Sequence, residues 1–148
     1  ALSAAHNLLT NGLWQPTPIH SIIQSCLRPL ASAHQIYIDG PPVMVSTRTA
    51  ITLALAIHEL ATNAVKYGAL STPDGRIDIV WTLSEDRQLD LRWTERNGPL
   101  VDLPTHRGFG TKMIERGLAA EFRGKVDLSF TPDGLVCTLI AQLPEKMI

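Results

Sequence analysis

The chain has 148 residues, 45% of them hydrophobic, enough for one domain with a sizeable core. Lys and Arg number 13 against 14 Asp and Glu, a balance that argues against strongly electrostatic binding to nucleic acid or to a membrane surface. No apolar run approaches the roughly 20 residues of a membrane span, and no secretory signal is present.

Residues 1–11 are helical in pattern and stop at Gly12 without a convincing N-cap, so the sequence is expected to start inside a longer helix. Trp14 to Pro18 reads as a turn. Ile19, Ile22, Ile23, Cys26, Leu27 and Leu30 recur at helical spacing, with Pro29 disturbing the end. Gln35 to Asp39 alternates as a strand, and Gly40-Pro41-Pro42 turns it toward Val43-Met44-Val45. A long apolar helix, Thr49 to Tyr67, follows, then a loop at Ser71 to Gly75. Arg76 to Leu83 and Gln88 to Thr94 alternate as two neighbouring strands. Arg96 to Arg107 has two prolines and no periodicity, and is read as a mobile loop. Thr111 to Phe122 is helical, and Val126 to Phe130 and Leu135 to Leu143 are strands joined at Pro132-Asp133-Gly134. The expected fold is an α/β (α+β) two-layer sandwich, a mixed, mostly antiparallel sheet covered on one face by helices. Cys26 and Cys137 lack CxxC spacing and read as two reduced, partly buried thiols of a cytoplasmic protein.

Three segments carry chemistry. In the long helix, at about 100° per residue, Asn63 lies roughly 40° from Glu59 and Lys66 roughly 20° to its other side. Carboxylate, carboxamide and ammonium thus form one stripe, while Ile57, Leu60, Ala61 and Ala64 face the opposite way. Such a stripe suits Mg²⁺ or its waters beside phosphate; the bland alternative is a solvated helix face. His58-Glu59 lacks the second histidine of a zinc protease, since position 62 is Thr62.

The second segment, Gly108-Phe109-Gly110-Thr111, opens a helix and offers backbone donors to a phosphate, or is merely a tight turn. It is neither a dinucleotide fingerprint nor a P-loop. The third, Trp93-Thr94-Glu95-Arg96-Asn97-Gly98-Pro99, ends a strand. Glu95 there is either a carboxylate at a pocket mouth, selecting adenine by its exocyclic amine, or part of an edge strand entering an Asn-Gly turn with Trp93 packed.

In this order and spacing, the three segments resemble the catalytic ATP-binding domain of sensor histidine kinases, within the Bergerat-fold superfamily that includes gyrase. Glu59/Asn63/Lys66/Tyr67 matches the N box, Trp93-x-Glu95 through Gly98-Pro99 the first glycine box, and Gly108-x-Gly110-Thr111 the second. His58 before the N-box glutamate, together with Trp93-x-Glu95, narrows the resemblance to the HWE subgroup.

The resemblance implies ATP and Mg²⁺, with Asn63 on the metal, Glu59 reaching it through water, and Glu59 and His58 in the catalytic role. It further implies Lys66, Tyr67, Glu95, Gly98, Arg107, Gly108, Gly110, Thr111 and Thr138 around the nucleotide, and a lid from Pro99 to Arg107 closing over the phosphates. Residues 1–12 resemble the tail of the second dimerisation helix, and residues 13–148 the catalytic domain.

Departures are visible. Glu95 precedes Gly98 by three residues, where ordinary histidine kinases carry Asp-x-Gly-x-Gly. No His-Arg-x-Lys-Asn acceptor run occurs, so His6, His20, His34 and His106 read as ordinary histidines. The implied activity is phosphoryl transfer to a histidine on a dimerisation domain outside this sequence. The implied partners are that domain and, through the full-length kinase, a response regulator, with no nucleic acid or membrane contact. Two other classes stay open: a serine kinase of the anti-sigma-factor type, and a nucleotide-gated signalling module without catalysis.

Overall fold

The computed structural model describes residues 16–30, 35–99, 120, 124–132 and 134–143. In chain order it contains β1 (Thr17–Pro18), α1 (Ile19–Leu27), β2 (Ile36–Asp39), β3 (Met44–Val45), α2 (Thr47–Tyr67), a 3-10 turn (Ala69–Ser71), β4 (Arg76–Leu83), β5 (Gln88–Arg96), β6 (Lys125–Thr131) and β7 (Gly134–Gln142). The expected helix at 1–11 and the domain boundary at residue 12 lie outside the described residues. So does the helix expected from Thr111, except at Ala120, which is helical.

Five strands form one sheet in the order β2-β4-β5-β7-β6. β2 runs parallel to β4, and every other neighbouring pair is antiparallel. A parallel pair needs a crossover, and α2, lying between β2 and β4 in the chain, supplies it. Alternation decides which side of the sheet is core. Ile77, Ile79 and Trp81 of β4, Leu89, Leu91 and Trp93 of β5, and Leu135, Cys137, Leu139 and Ala141 of β7 are all buried. They join the apolar stripes of α1 and α2 in a single cluster. Intervening residues such as Val80, Thr82 and Arg92 face outward. The expected two-layer sandwich is the fold observed.

Details differ from the periodicity at three places. Thr17–Pro18 is a short strand and pairs with Met44–Val45 in a separate two-stranded sheet, so Gly40-Pro41-Pro42 does not fold β3 back onto β2. α1 ends at Leu27; Arg28 caps it in helical conformation and donates to the Gln24 carbonyl, and Pro29 has no N–H to continue the ladder. β5 extends to Arg96 and sits at the centre of the sheet, between β4 and β7, so it is not an edge strand.

Candidate functional site

α2 begins at an N-cap: Ser46 Oγ accepts from the Thr49 amide at 3.2 Å. The helix buries Ala50, Leu53, Ala54, Ala56, Ile57, Leu60, Ala61 and Ala64. Its small residues let the backbone lie close to the sheet, and its other face is left for polar groups. Glu59 and Asn63 are half-buried on that face, Lys66 is exposed, and Tyr67 is 73% exposed. Among the described residues none pairs with the side chains of Glu59, Asn63 or Lys66.

On the flank of this stripe His58 Nε2 lies 3.1 Å from Thr62 Oγ1, one helical turn away. Partial burial lowers the imidazole pKa below its ordinary value, while the neighbouring Glu59 acts in the opposite direction. Thr62 thus fills the position that a zinc protease gives to a second histidine, and orients the first one instead.

The 3-10 turn that follows α2 is fastened to β5 by Glu95. This carboxylate is 3% exposed. Its Oε1 accepts from the Ala69 amide at 3.0 Å, and its Oε2 accepts from Trp93 Nε1 at 3.0 Å. Burial pushes its pKa up, with the Ala69 and Trp93 donors opposing that shift. Two glycines make the approach possible. A Cβ on Gly68 would collide with Glu95 Oε1, and one on Gly98 would sit 2.9 Å from both the Ala69 nitrogen and Cα. Thr72 Oγ1 adds a bond to the Asn97 carbonyl at 2.9 Å. Asn97 itself has a φ of 59°, the left-handed conformation of the expected Asn-Gly turn.

The structure therefore brings the end of the N-box segment and the start of the first glycine segment together. Arg107, Gly108, Gly110 and Thr111 lie outside the described residues, as does most of the stretch from Pro99 to Arg107. Thr138 is a correction. It pairs with Arg92 and Asp127 on the outer side of the sheet, one residue out of phase with buried Cys137, so its side chain faces away from α2 and Glu95. Period-2 alternation decides this, and the sequence motif carried no strand phase. Sequence reasoning missed Gly68 and Ala69, which face Glu95. Trp93-x-Glu95 did hold a signal, because residues i and i+2 of a strand share a face.

A concavity of about 580 Å³ opens on the outer face beside Tyr37, Asp78 and Arg92, away from these residues. No group of three or more His, Cys, Asp or Glu able to hold a metal occurs among the described residues. Glu59 and Asn63 fit a weaker demand: Mg²⁺ takes one or two protein oxygens and completes its shell with phosphate and water.

No family model matches the chain. The blue-light-activated histidine kinase of Brucella anthropi is 43% identical over 148 residues, covering 97% of this chain and 30% of that protein. Its counterpart in Brucella ovis is 41% identical over 152 residues, covering 99% and 31%. The chain thus spans under a third of the length of the curated relatives it matches. Among solved structures, the histidine kinase domain of a blue-light-activated histidine kinase from Erythrobacter litoralis aligns with a TM-score of 0.67 at 15% identity, covering 84% of this chain and 58% of that one. A mycobacterial sensor histidine kinase aligns at 0.64 and 14% identity, covering 86% and 97%. At such identities the solved structures speak for the fold, and the sequence matches speak for the family. No helix among the described residues is long and apolar enough to cross a membrane.

Proposed function

The chain belongs to the catalytic ATP-binding domains of histidine kinases, and from that premise we propose that it holds Mg·ATP along the free face of α2 for transfer of the γ-phosphoryl group to a histidine of a dimerisation domain. One observation carries this reading: among the described residues Glu59 and Asn63 lie unpaired on one half-buried face of a helix, and the turn that follows this helix is fastened to Glu95. The acceptor domain belongs to the same kinase, and a response regulator takes the phosphoryl group from it in the cytoplasm.

Asn63 holds the cation directly and Glu59 through water, and Mg²⁺ when bound supplies neutralisation of the phosphate charge. Lys66 adds a point charge beside the phosphates, and Tyr67 borders the nucleotide. Gly98 keeps the pocket floor tight against Ala69. Arg107 and the Gly108 to Thr111 turn meet the phosphates, the turn through its backbone N–H groups. Glu95 accepts the exocyclic amine of adenine on a lone pair left over from Ala69 and Trp93.

In the transfer, an imidazole nitrogen attacks the γ-phosphorus. The bond to the β–γ bridging oxygen breaks, and ADP leaves with the electron pair. Glu59 orients the incoming imidazole and takes its proton, and His58, held by Thr62 one turn on, stands at the edge of the same stripe. The chemistry asks mainly for positioning and charge neutralisation, which a rigid helix face provides.

Calorimetry with ATP, with and without Mg²⁺, tests the metal assignment. Asn63→Ala is expected to lose the metal-dependent part, by at least the roughly 10- to 100-fold that removing even an outer-shell partner costs a metal site. An Asn63→Ala chain that binds Mg·ATP as tightly as its parent overturns that assignment. With γ-labelled ATP, the chain alone should stay unlabelled and should slowly label a separately supplied dimerisation domain, with Glu59→Ala abolishing transfer. The label should be acid-labile and base-stable, as phosphohistidine is; an acid-stable label would mark a serine kinase instead.

A further inference from the structure

We propose that Trp93 is a positioning residue for base selection: its indole N–H holds the Glu95 carboxylate as an acceptor-only group, so that the site takes adenine in preference to guanine. The inference rests on the adenine reading of Glu95 and adds to it a second residue with a separate readout.

Trp93 and Glu95 are two residues apart on β5, so both enter the same face of the sheet. Trp93 is 0% exposed, flanked across the strands by Ile79 and Cys137, and its one polar atom donates to Glu95 Oε2 at 3.0 Å. Glu95 is the one charged side chain in the core among the described residues. A buried carboxylate is a poor structural device, since a well-packed apolar replacement is often as stable. Its retention with two aligned donors points to a chemical role.

The state of that carboxylate decides what it recognises. Ionised, it only accepts, and it matches the exocyclic amine of adenine. Protonated, it also donates, and it matches the carbonyl that guanine carries at the same position. Burial favours the protonated form and raises the pKa on balance, while the Ala69 and Trp93 donors favour the ionised form and limit that rise. Among the described residues no other charge faces the group from the packed elements. Ile77 lies across from it on β4, Gly134 of β7 abuts its backbone, and Lys66 and Tyr67 at the end of α2 are exposed. The Trp93 donor is therefore one of the two groups that extend the acceptor form to lower pH.

Competition between ATP and GTP, measured from mildly acidic to mildly alkaline pH on the parent chain and on Trp93→Phe, tests this. The parent should prefer ATP at the alkaline end and hold that preference to lower pH than Trp93→Phe does. Trp93→Phe should lose about tenfold of that preference at the acidic end, the effect of roughly 1.4 kcal/mol, and regain it at the alkaline end. A discriminating parent beside a Trp93→Phe chain with the same ratio at every pH overturns the Trp93 role alone. A parent that takes ATP and GTP equally overturns the adenine reading and the selectivity role with it.

The unmodified chain decides the matter if Trp93→Phe unfolds. The Trp93 indole N–H and the Ala69 amide should shift together in one NMR titration without nucleotide. Separate titrations, or none at the indole, overturn the clamp.

Discussion

Glu95 raises a question of cause at the level of single residues, because a buried ionisable group can serve stability or serve chemistry. Its pKa is raised in the folded chain, so the folded state binds the proton more readily than the unfolded state. Its contribution to stability is present in full below the ordinary carboxylate range and is lost as pH rises through the raised value. Glu95→Gln has no charge to lose. The stability of that variant relative to the parent should therefore improve as pH rises through the window, while its preference for ATP over GTP narrows. Urea unfolding of both chains at several pH values reads the difference. A Glu95→Gln deficit that is large and constant with pH would show that the carboxylate is a structural strut. The carboxylate's candidacy was legible from the Trp93-x-Glu95 pattern, but its partner Ala69 was not, because an alanine amide carries no sequence signal. Thr138 failed at the same level: a threonine in a strand looks alike on either face, and only pairing fixes the phase.

At the scale of elements, the α2 N-terminus and the β5–α2 junction each depend on one small residue. Ser46→Ala removes the side-chain acceptor for the Thr49 amide, and should cost about 0.5–2 kcal/mol in thermal or denaturant unfolding with nucleotide binding intact. Gly98→Ala places a methyl 2.9 Å from the Ala69 backbone, which cannot give way as a side-chain tip can. It should cost about 1–3 kcal/mol and weaken ATP binding as well, because the turn that carries Glu95's partner is displaced. A Gly98→Ala chain with parental stability and affinity would show that the first glycine segment does not touch the end of α2. Helix and strand identities followed from periodicity because each element buries one face. The place of β5 in the sheet did not follow, since an alternating strand reads the same whether it has one neighbour or two.

For the whole molecule, the single cluster that unites α1, α2 and the sheet also encloses both thiols. Cys26 donates toward the Ala54 carbonyl at 3.6 Å, and burial pushes its pKa up to about 11. Neither cysteine should react with a thiol reagent near neutral pH in the folded chain, and both should react at once in denaturant. One fast equivalent from the native chain that maps to Cys26 would mean that the α1–α2 interface opens readily.

The sequence by itself determined the fold class and the polar stripe of α2, and pointed to the family through the resemblance of its three motifs. Fold class and stripe are written in periodicities and in short-range spacing, which a helix or strand converts directly into a shared face. Tertiary structure alone decided that β5 is central, that β1 pairs with β3, that Thr138 faces outward, and that Glu95 closes on Ala69 and Trp93 over Gly68. Apart from the Trp93 bond within β5, these are contacts between residues distant in the chain. Register, backbone donors and the space left by a missing Cβ set them, and none of the three depends on which residues are neighbours in sequence.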